Sequence, residues 1–551
     1  MSYHLLGSHR FFLRLPNVLS FLIFGYAVLG IVRKINNTSS KLLIIAFLVL
    51  SFNFLDFFEL CRGYGLSMAF LTLGFYYLLN YLNNRQPSEF MKTLFALQMA
   101  LAANLTLAML VVILTGVLLF FQWRQRLLFN LKVVFVHLLN IGLTGFWVKL
   151  LLHYKEANLL DSGMGEDYWK VTFLSLLDFL YTSNQMWLQI STIILMALIG
   201  TYFFRGMAAS KTIDALFKPS YLFSFLFLLC VLIYFLLKKM AGINYPEDRT
   251  GLFLFLLFVL ALAYTLEKIP EQLSGLLSVL LIAAISVNSI KSANLKNFGS
   301  YFYHTMPKQA YDYLVNEQSK SDTVLTIGGH RIRELNFAFL NYRGNAVLND
   351  MDGSEDMQMC YDYFYALKEE KTYYNQYYDE IMADDWSHVL LKRKQKLKRT
   401  LFLEANSEME FKGQSTYFDF LAIKDTSLNS CNPLEAEVKL SFTKMPKPFN
   451  AFLVFSVGKP DGSGDTCYKY IPLNMLADDL DNKSFTLKLT SSSLPTKLKD
   501  LKIHIWNIDA KEVNFKLNYF KIHQLHGDGV NFKIPSNYRY LIERFTQKPV
   551  L

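Results

Sequence analysis

Apolar runs dominate the first half of the chain, at roughly 17–32, 41–55, 64–82, 93–121, 131–151, 184–204, 219–237, 251–266 and 271–290. Several approach the ~20 residues that an α-helix needs to cross a bilayer. The shorter ones can span with snorkelling flanks or local thinning. The 93–121 run is too long for one comfortable span and short for two. Arg85 and Lys92 precede it, and Arg124 and Arg126 follow it. Basic flanks at both ends belong on one side, so the run predicts a tight hairpin turning near Asn104. The pattern amounts to about ten crossings.

Near residue 295 the texture becomes mixed and polar. Ala310 to Asn316 reads as helix, Thr323 to Ile327 as strand, Arg331 to Leu340 as helix and Ala346 to Leu348 as strand. Together these make a small α/β unit. Residues 354–398 read as helical, with the aromatic cluster Tyr361, Tyr363, Phe364, Tyr365, Tyr373, Tyr374, Tyr377 and Tyr378. From 400 to 525 short segments such as Glu437 to Phe442 and Phe485 to Leu489 alternate apolar and polar residues, with turns such as Pro460-Asp461-Gly462 between them. Such a series reads as a β-sandwich of the jelly-roll type. The expected fold class is an α-helical polytopic membrane domain (1–295), a small α/β and helical extracytoplasmic unit (296–399) and a β-sandwich (400–525), with a tail at 526–551.

The net charge of +10 does not point to nucleic acid. Much of the basic excess lies in short loops between apolar runs, where it sets topology. Arg33, Lys34, Lys41, Arg85, Lys92, Arg124, Arg126, Lys132, Arg205, Lys211, Lys218 and Lys268 fall on the cytoplasmic side. Asp56, Glu59, Glu156, Asp161, Glu166, Asp167, Glu247 and Asp248 fall on the other, where the C-terminal part then emerges. The first crossing would run inward from close to Met1, as though a first span and an outer loop were missing. The basic cluster Lys392 to Arg399 reads as a solvated helix face or linker, with an anionic membrane surface as the alternative. Cys61, Cys230, Cys360, Cys431 and Cys467 show no metal-site spacing. Cys431 and Cys467 have the option of pairing in an oxidising compartment. Gly328-Gly329 hints weakly at a phosphate loop; a plain strand-to-helix turn is the better reading. His4, His9, His153 and His304 have no metal-ligand spacing.

Candidate chemistry lies in the outer loops. Asp56 and Glu59 stand three apart beside Arg62 and Tyr64, so on a helix the two acids share a face. A carboxylate there suits a general base or a cation ligand; the plain alternative is an interfacial cluster. The loop from Leu152 to Thr182 holds Lys155, Asp161, Glu166, Asp167, Trp169 and Lys170 between Gly163, Gly165 and an amphipathic stretch, Tyr168 to Tyr181. Tyr245-Pro246-Glu247-Asp248-Arg249-Thr250 is a charged, helix-breaking turn between two long apolar runs. The planar fork of Arg249 suits a phosphate, and Pro246 frees backbone groups to line a cavity.

Three segments carry a resemblance to the GT-C class of polytopic membrane glycosyltransferases, which includes protein O-mannosyltransferases and lipid A aminoarabinose transferases. Leu13-Arg14-Leu15-Pro16-Asn17-Val18-Leu19-Ser20 is similar to the "LRLPS" opening of a span in that class. Cys61-Arg62-Gly63-Tyr64-Gly65-Leu66 resembles its "ARGYAL" segment, and Tyr245 to Arg249 resembles its "P-x-x-R" turn. The resemblance covers roughly residues 1–300. It implies a multi-pass protein of a bacterial inner membrane, embedded in membrane lipid. It also implies a polyprenyl-phosphate sugar as donor and a protein, lipid or glycan acceptor at the outer face. Arg249 would bind the donor phosphate, with Tyr245 and Glu247 beside it, and Asp56, Glu59, Arg62 and Tyr64 would line the cavity. Sugar transfer would invert the anomeric centre, and a divalent metal ion is an open option as cofactor. In that class the catalytic carboxylate lies in a first outer loop, before the "LRLP" segment. No acid precedes Leu13 here, so the expectation is a truncated or inactive chain, or one in which Asp56 or Glu59 substitutes. The competing expectations are a non-enzymatic, membrane-anchored glycan-binding or assembly protein and a surface-glycan polymerase or ligase. Exposed aromatics such as Tyr468, Tyr470 and Trp506 would stack on sugars or fill the sandwich core.

Overall fold

A chain segment without water must bond its backbone internally, and the apolar runs accordingly fold as helices. The computed structural model describes residues 10–59, 62–127, 131–156, 167–177, 186–293, 306–329, 337–338, 340–344, 347–353, 358–383, 388–406, 408–446, 449–459, 461, 464–477 and 479–532. The chain divides into two units, residues 1–300 and 301–540.

The first unit is helical. Its helices are α1 (Arg10–Val32), α2 (Thr38–Val49), α3 (Phe52–Glu59), α4 (Tyr64–Asn84), α5 (Pro87–Ala103), α6 (Ala108–Arg124), α7 (Leu131–Glu156), α8 (Met186–Ser210), α9 (Pro219–Ala241), α10 (Leu252–Leu266) and α11 (Glu271–Ser292). Among the described residues eight helical segments are long and apolar enough to cross a membrane; α2, with 12 residues, is apolar but shorter. With α5 this makes ten helices of 12 or more residues in the unit, among the described residues.

Local chemistry sets the boundaries. Asn37 caps α2, its side chain accepting the Ser40 N–H at 3.1 Å. Pro87 and Pro219 open α5 and α9, where a missing N–H costs nothing. Asn104 breaks the long apolar run: its extended backbone ends α5, and its Oδ1 accepts the Thr106 N–H at 3.1 Å. Gln122 near the far end of α6 then donates to the Tyr81 hydroxyl at 2.9 Å, and the Tyr81 ring also packs, tilted, 5.4 Å from Phe90 near the start of α5. Thus α6 returns to the level where α5 began, and the expected hairpin is present. The 41–55 run is not one helix, since it divides into α2 and α3 around Leu50 and Ser51.

The second unit joins an α/β layer to a sandwich. Helix α12 (Lys308–Ser319) precedes β1 (Ile327–Gly329), β2 (Met351–Asp352), β3 (Tyr363–Leu367), β4 (Tyr378–Ala383) and β5 (His388–Arg393). These strands form one sheet in the order β2-β1-β3-β5-β4. The expectation of helix over 354–398 is corrected: among its described residues only short helical turns (Lys368–Glu370 and Lys371–Tyr374) accompany three strands. Tyr, Phe and Val favour a pleated surface, and Tyr363, Tyr365 and Leu390 pack on one face while Phe364, Ala366 and Leu391 pack on the other. The strand expected at 323–327 lies at 327–329, and the one expected at 346–348 lies at 351–352. Gly328 and Gly329 lie inside β1. A Cβ on Gly328 would meet the Tyr361 ring at 2.3 Å, so close packing explains that glycine. Most of the Arg331 to Leu340 segment, and the tail beyond 532, lie outside the described residues.

The sandwich contains β6 (Lys398–Ala405), β7 (Met409–Gln414), β8 (Tyr417–Ser427), β9 (Leu434–Lys444), β10 (Ala451–Gly458), β11 (Asp465–Pro472), β12 (Ser484–Thr490), β13 (Lys497–Asn507) and β14 (Glu512–His526). One sheet runs β11-β10-β13-β8 and the other β12-β9-β14, with β6 and β7 both on β14. Taken from β7 onward, this is the strand order of a jelly roll. The basic cluster 392–399 is no helix face. Lys392 pairs with Glu317 at 2.8 Å, buried Arg393 donates to the Met359 carbonyl at 2.6 Å, and Arg399 grips buried Glu435 at 2.8 and 3.0 Å. Burial pushes the Glu435 pKa up, but the nearby charges of Lys488 and Arg399 outweigh it and hold the group below its ordinary value. Cys431 is exposed and Cys467 buried, and both are free thiols.

Glu317 accepts from Lys392, Lys320 and Tyr363, which lower its pKa from 4.5 to about 2. A depressed carboxylate stabilises the fold above its unfolded pKa and loses that contribution as pH falls through the folded value. The melting temperature of the purified chain, followed by β-sheet circular dichroism, should therefore fall between pH 4.5 and about 2. Glu317→Gln should flatten this dependence; an unchanged pH profile in the variant would refute the assignment.

Candidate functional site at one end of the helical unit

Helix α10 is buried at every position. A helix apolar on all sides lies in the middle of its bundle, and here its Phe255 meets Phe47 and Phe54, with centroids 6.2 and 5.5 Å apart. The turn expected to carry chemistry forms its N-terminal mouth. Gly242, at φ 63°, ends α9 in the left-handed region. Residues 243–247 are non-helical, and Asp248–Gly251 forms a 3₁₀ turn leading into α10. Glu247 and Thr250 cap that turn reciprocally.

Trp169–Leu174 and Ser175–Leu177 clamp this mouth. The Thr172 hydroxyl donates to the Pro246 carbonyl at 2.7 Å, and the Asp248 N–H donates to the Ser175 hydroxyl at 2.9 Å. Tyr168 stacks on Tyr245 at 4.3 Å. Lys238 lies 5.9 Å from the Tyr245 ring and donates to Asn244 at 2.9 Å. Tyr245 is buried, Glu247 exposed and Arg249 half-buried; Glu247, Asp248 and Arg249 all have partners within the chain.

The other two motif segments meet at Asn17. Its Nδ2 donates to the Phe57 carbonyl at 2.6 Å, and its Oδ1 accepts the Leu66 N–H at 2.8 Å. One buried amide thus ties α1 to the end of α3 and the start of α4. The glycines around Tyr64 permit this closeness. A Cβ on Gly63 would lie 2.0 Å from the Ala103 carbonyl oxygen, and one on Gly65 would lie 2.8 Å from that of Phe57. Tyr64 is half-buried, edge-on to Phe57 at 5.9 Å, and Arg62 is exposed. Asp56 and Glu59 do not share an environment: Asp56 is 3% exposed, and Glu59 points to the exterior. An i, i+3 pair differs by about 60° around the axis, enough at this edge of the bundle to separate buried from exposed.

Both clusters lie at the same end of the unit. Phe255, one turn inside the Arg249 mouth, packs on Phe54, two residues before Asp56. The Phe52 N–H donates to Ser289, near the end of α11, at 3.3 Å. At the opposite end Asn36 bonds Glu267 at 3.0 Å, and Arg124 pairs with Asp214 at 3.4 Å. Sequence reasoning did not single out Asn17, Tyr168, Thr172 or Ser175 as positioning groups. For Asn17 the signal was present: an amide beside a proline in an apolar span requires partners. Cys61 and residues 157–166 and 178–185 lie outside the described residues, as does the Leu13 side chain. Among the described residues no three His, Cys, Asp or Glu side chains gather as a metal-ion site.

No family model matches the chain, and no curated protein matches it. Among solved structures it is similar to the arabinosyltransferase EmbB of Mycobacterium smegmatis, at 12% identity and a TM-score of 0.31. The match covers 93% of this chain, which spans 57% of the length of EmbB. Such a loose superposition transfers no residue role.

Asn17→Leu removes the amide that donates to the Phe57 carbonyl and takes away the side-chain acceptor of the Leu66 N–H. The expected cost is about 1–3 kcal/mol for a donor left unpaired, seen as a lower melting temperature in detergent. Gly63→Ala should do the same, because a backbone carbonyl has to move. Wild-type melting of both variants would contradict the geometry described.

Proposed function

We propose that the chain is a membrane glycosyltransferase that moves a sugar from a polyprenyl-phosphate donor to an acceptor at the membrane surface. The observation that carries this reading is the convergence of the three GT-C-like segments at one end of the helical unit. Arg249 stands there at the N-terminus of the most buried helix, where the helix dipole adds to its charge. A guanidinium on a turn so firmly clamped suits a phosphate that must be held while it leaves.

The reaction is a displacement with inversion. A carboxylate takes the proton of the acceptor hydroxyl, whose oxygen bonds to the anomeric carbon. The bond from that carbon to the phosphate oxygen breaks, and polyprenyl phosphate departs with the electron pair. Glu59 is the better base, because a soluble acceptor can reach it, whereas buried Asp56 already has a partner. Arg62 and Tyr64 flank the acceptor side, and Tyr245 and Glu247 the donor side. The charged ends of the unit fit an orientation with Arg33, Arg85 and Arg124 in the cytoplasm and Glu59 and Arg249 outside. On that orientation we infer that the chain after residue 300 emerges outside a bacterial inner membrane. A second reading, a membrane-anchored glycan-binding protein without catalysis, draws support from exposed aromatic rings on the sandwich, among them Tyr417 and Tyr470.

The test is transfer in membrane vesicles supplied with polyprenyl-phosphate-linked radiolabelled hexoses and pentoses. Arg249→Ala should reduce transfer by about 100-fold or more, the scale of losing one charge-stabilising donor, with membrane insertion unchanged. Wild-type transfer in that variant would sink the assignment.

A further inference from the structure

The second unit contains a cavity of about 430 Å³, within the range of small-molecule sites. It lies between the sheet-edge strands β2 and β11 and is also lined by β12. Its walls are firmly joined. Asn349 exchanges two hydrogen bonds with the Lys488 backbone, at 2.8 and 2.9 Å. Gln358 bonds Ser493 twice, at 2.6 and 2.7 Å. Asp352 accepts both from Lys469, at 2.7 Å, and from the Tyr361 hydroxyl. The cavity is therefore built in advance.

The chemistry of the lining selects the ligand class. Its two lysines are already matched: Lys469 by Asp352, and Lys488 by Glu435 and Glu437 at 3.3 and 3.4 Å. Asp350 adds a further carboxylate to the wall. Among the described lining residues no cationic excess is left to hold a phosphate or a nucleotide. Hydroxyl, amide and carboxylate groups without excess positive charge suit a neutral polyol. An aromatic strip extends from the same edge strand. Tyr470 meets Phe452 at 5.3 Å, Phe452 meets Trp506 at 5.9 Å, and Trp506 stacks on Tyr417 at 6.5 Å. These rings cross the outer face of the β11-β10-β13-β8 sheet, because their strand neighbours Leu453, Ile505 and Phe418 fill the sandwich core. Tyr470 and Tyr417 are 48% and 54% exposed. Apolar sugar faces pack on exposed rings of this kind, while sugar hydroxyls need polar partners such as those of the cavity wall.

We propose that the cavity and the strip form one binding site for a neutral oligosaccharide, with one end of the chain in the cavity and successive residues along the rings. The site stands on the second unit alone and does not depend on the transferase reading. Its test is calorimetric titration of the detergent-solubilised full chain with neutral mannan, glucan, galactan, arabinan and xylan fragments. At least one fragment should bind, and Tyr470→Ala and Asp350→Ala should each weaken binding by about tenfold or more, the size of one lost contact. Inorganic phosphate should not compete. If either variant melts early, Tyr417→Ala, at the most exposed ring of the strip, takes its place. The proposal is overturned if no fragment binds, if the variants bind like wild type, or if phosphate displaces the sugar. None of these readings involves transfer, so the result is independent of the Arg249 assay.

Discussion

The first unit depends on the burial of Leu252–Leu266. That helix has no polar face, so neighbouring helices cover it all round. Once it is central, the turn before it has one place to go, at the mouth of the bundle. Its charges stay out of the apolar interior, and its backbone groups need partners. Thr172 and Ser175 supply them for Pro246 and Asp248. A held turn that carries an arginine beside a helix N-terminus is thus a consequence of packing before it is a feature of chemistry.

Between membrane helices the hydrophobic effect discriminates little, and close packing and hydrogen bonds decide the pairing. Asn17 plays that part at the candidate site. Deeper in the bundle Gln98 donates to Asn140 and Thr144, both at 2.8 Å, and Asn140 donates to Thr115 at 3.0 Å. The same economy of small residues and amides operates at Gly63 and Gly65, where side chains would push backbones apart. The three segments that resemble the GT-C class are therefore also the segments that hold this end of the unit together.

Much of the architecture was legible in the chain. Long apolar runs give helices because backbone bonding in lipid leaves few alternatives. Asn104 marked the hairpin because basic flanks constrain both ends of its run. Alternation from 400 to 525 disclosed the sandwich. What misled was residue-level texture without clear period. The Tyr-rich 354–398 stretch contains three strands, because aromatic rings suit both faces of a buried sheet. Within the basic cluster at 392–399, Lys392 and Arg399 form ion pairs with acids far away in sequence, while Lys394, Lys396 and Lys398 stay exposed. Part of the candidate site was visible as motifs, but the split between Asp56 and Glu59 depends on which helix face meets the bundle. The cavity of the second unit was illegible for a similar reason: Asp352 and Lys469 meet only after the jelly roll closes.

Arg249 is proposed to hold the phosphate of a lipid-linked donor. Native mass spectrometry of the chain with added polyprenyl phosphate, which carries no sugar, tests it most directly. The wild-type chain should carry a bound lipid that is lost from Arg249→Ala and retained by Arg85→Ala, at the opposite end of the unit. Equal retention by wild type and Arg249→Ala would contradict it.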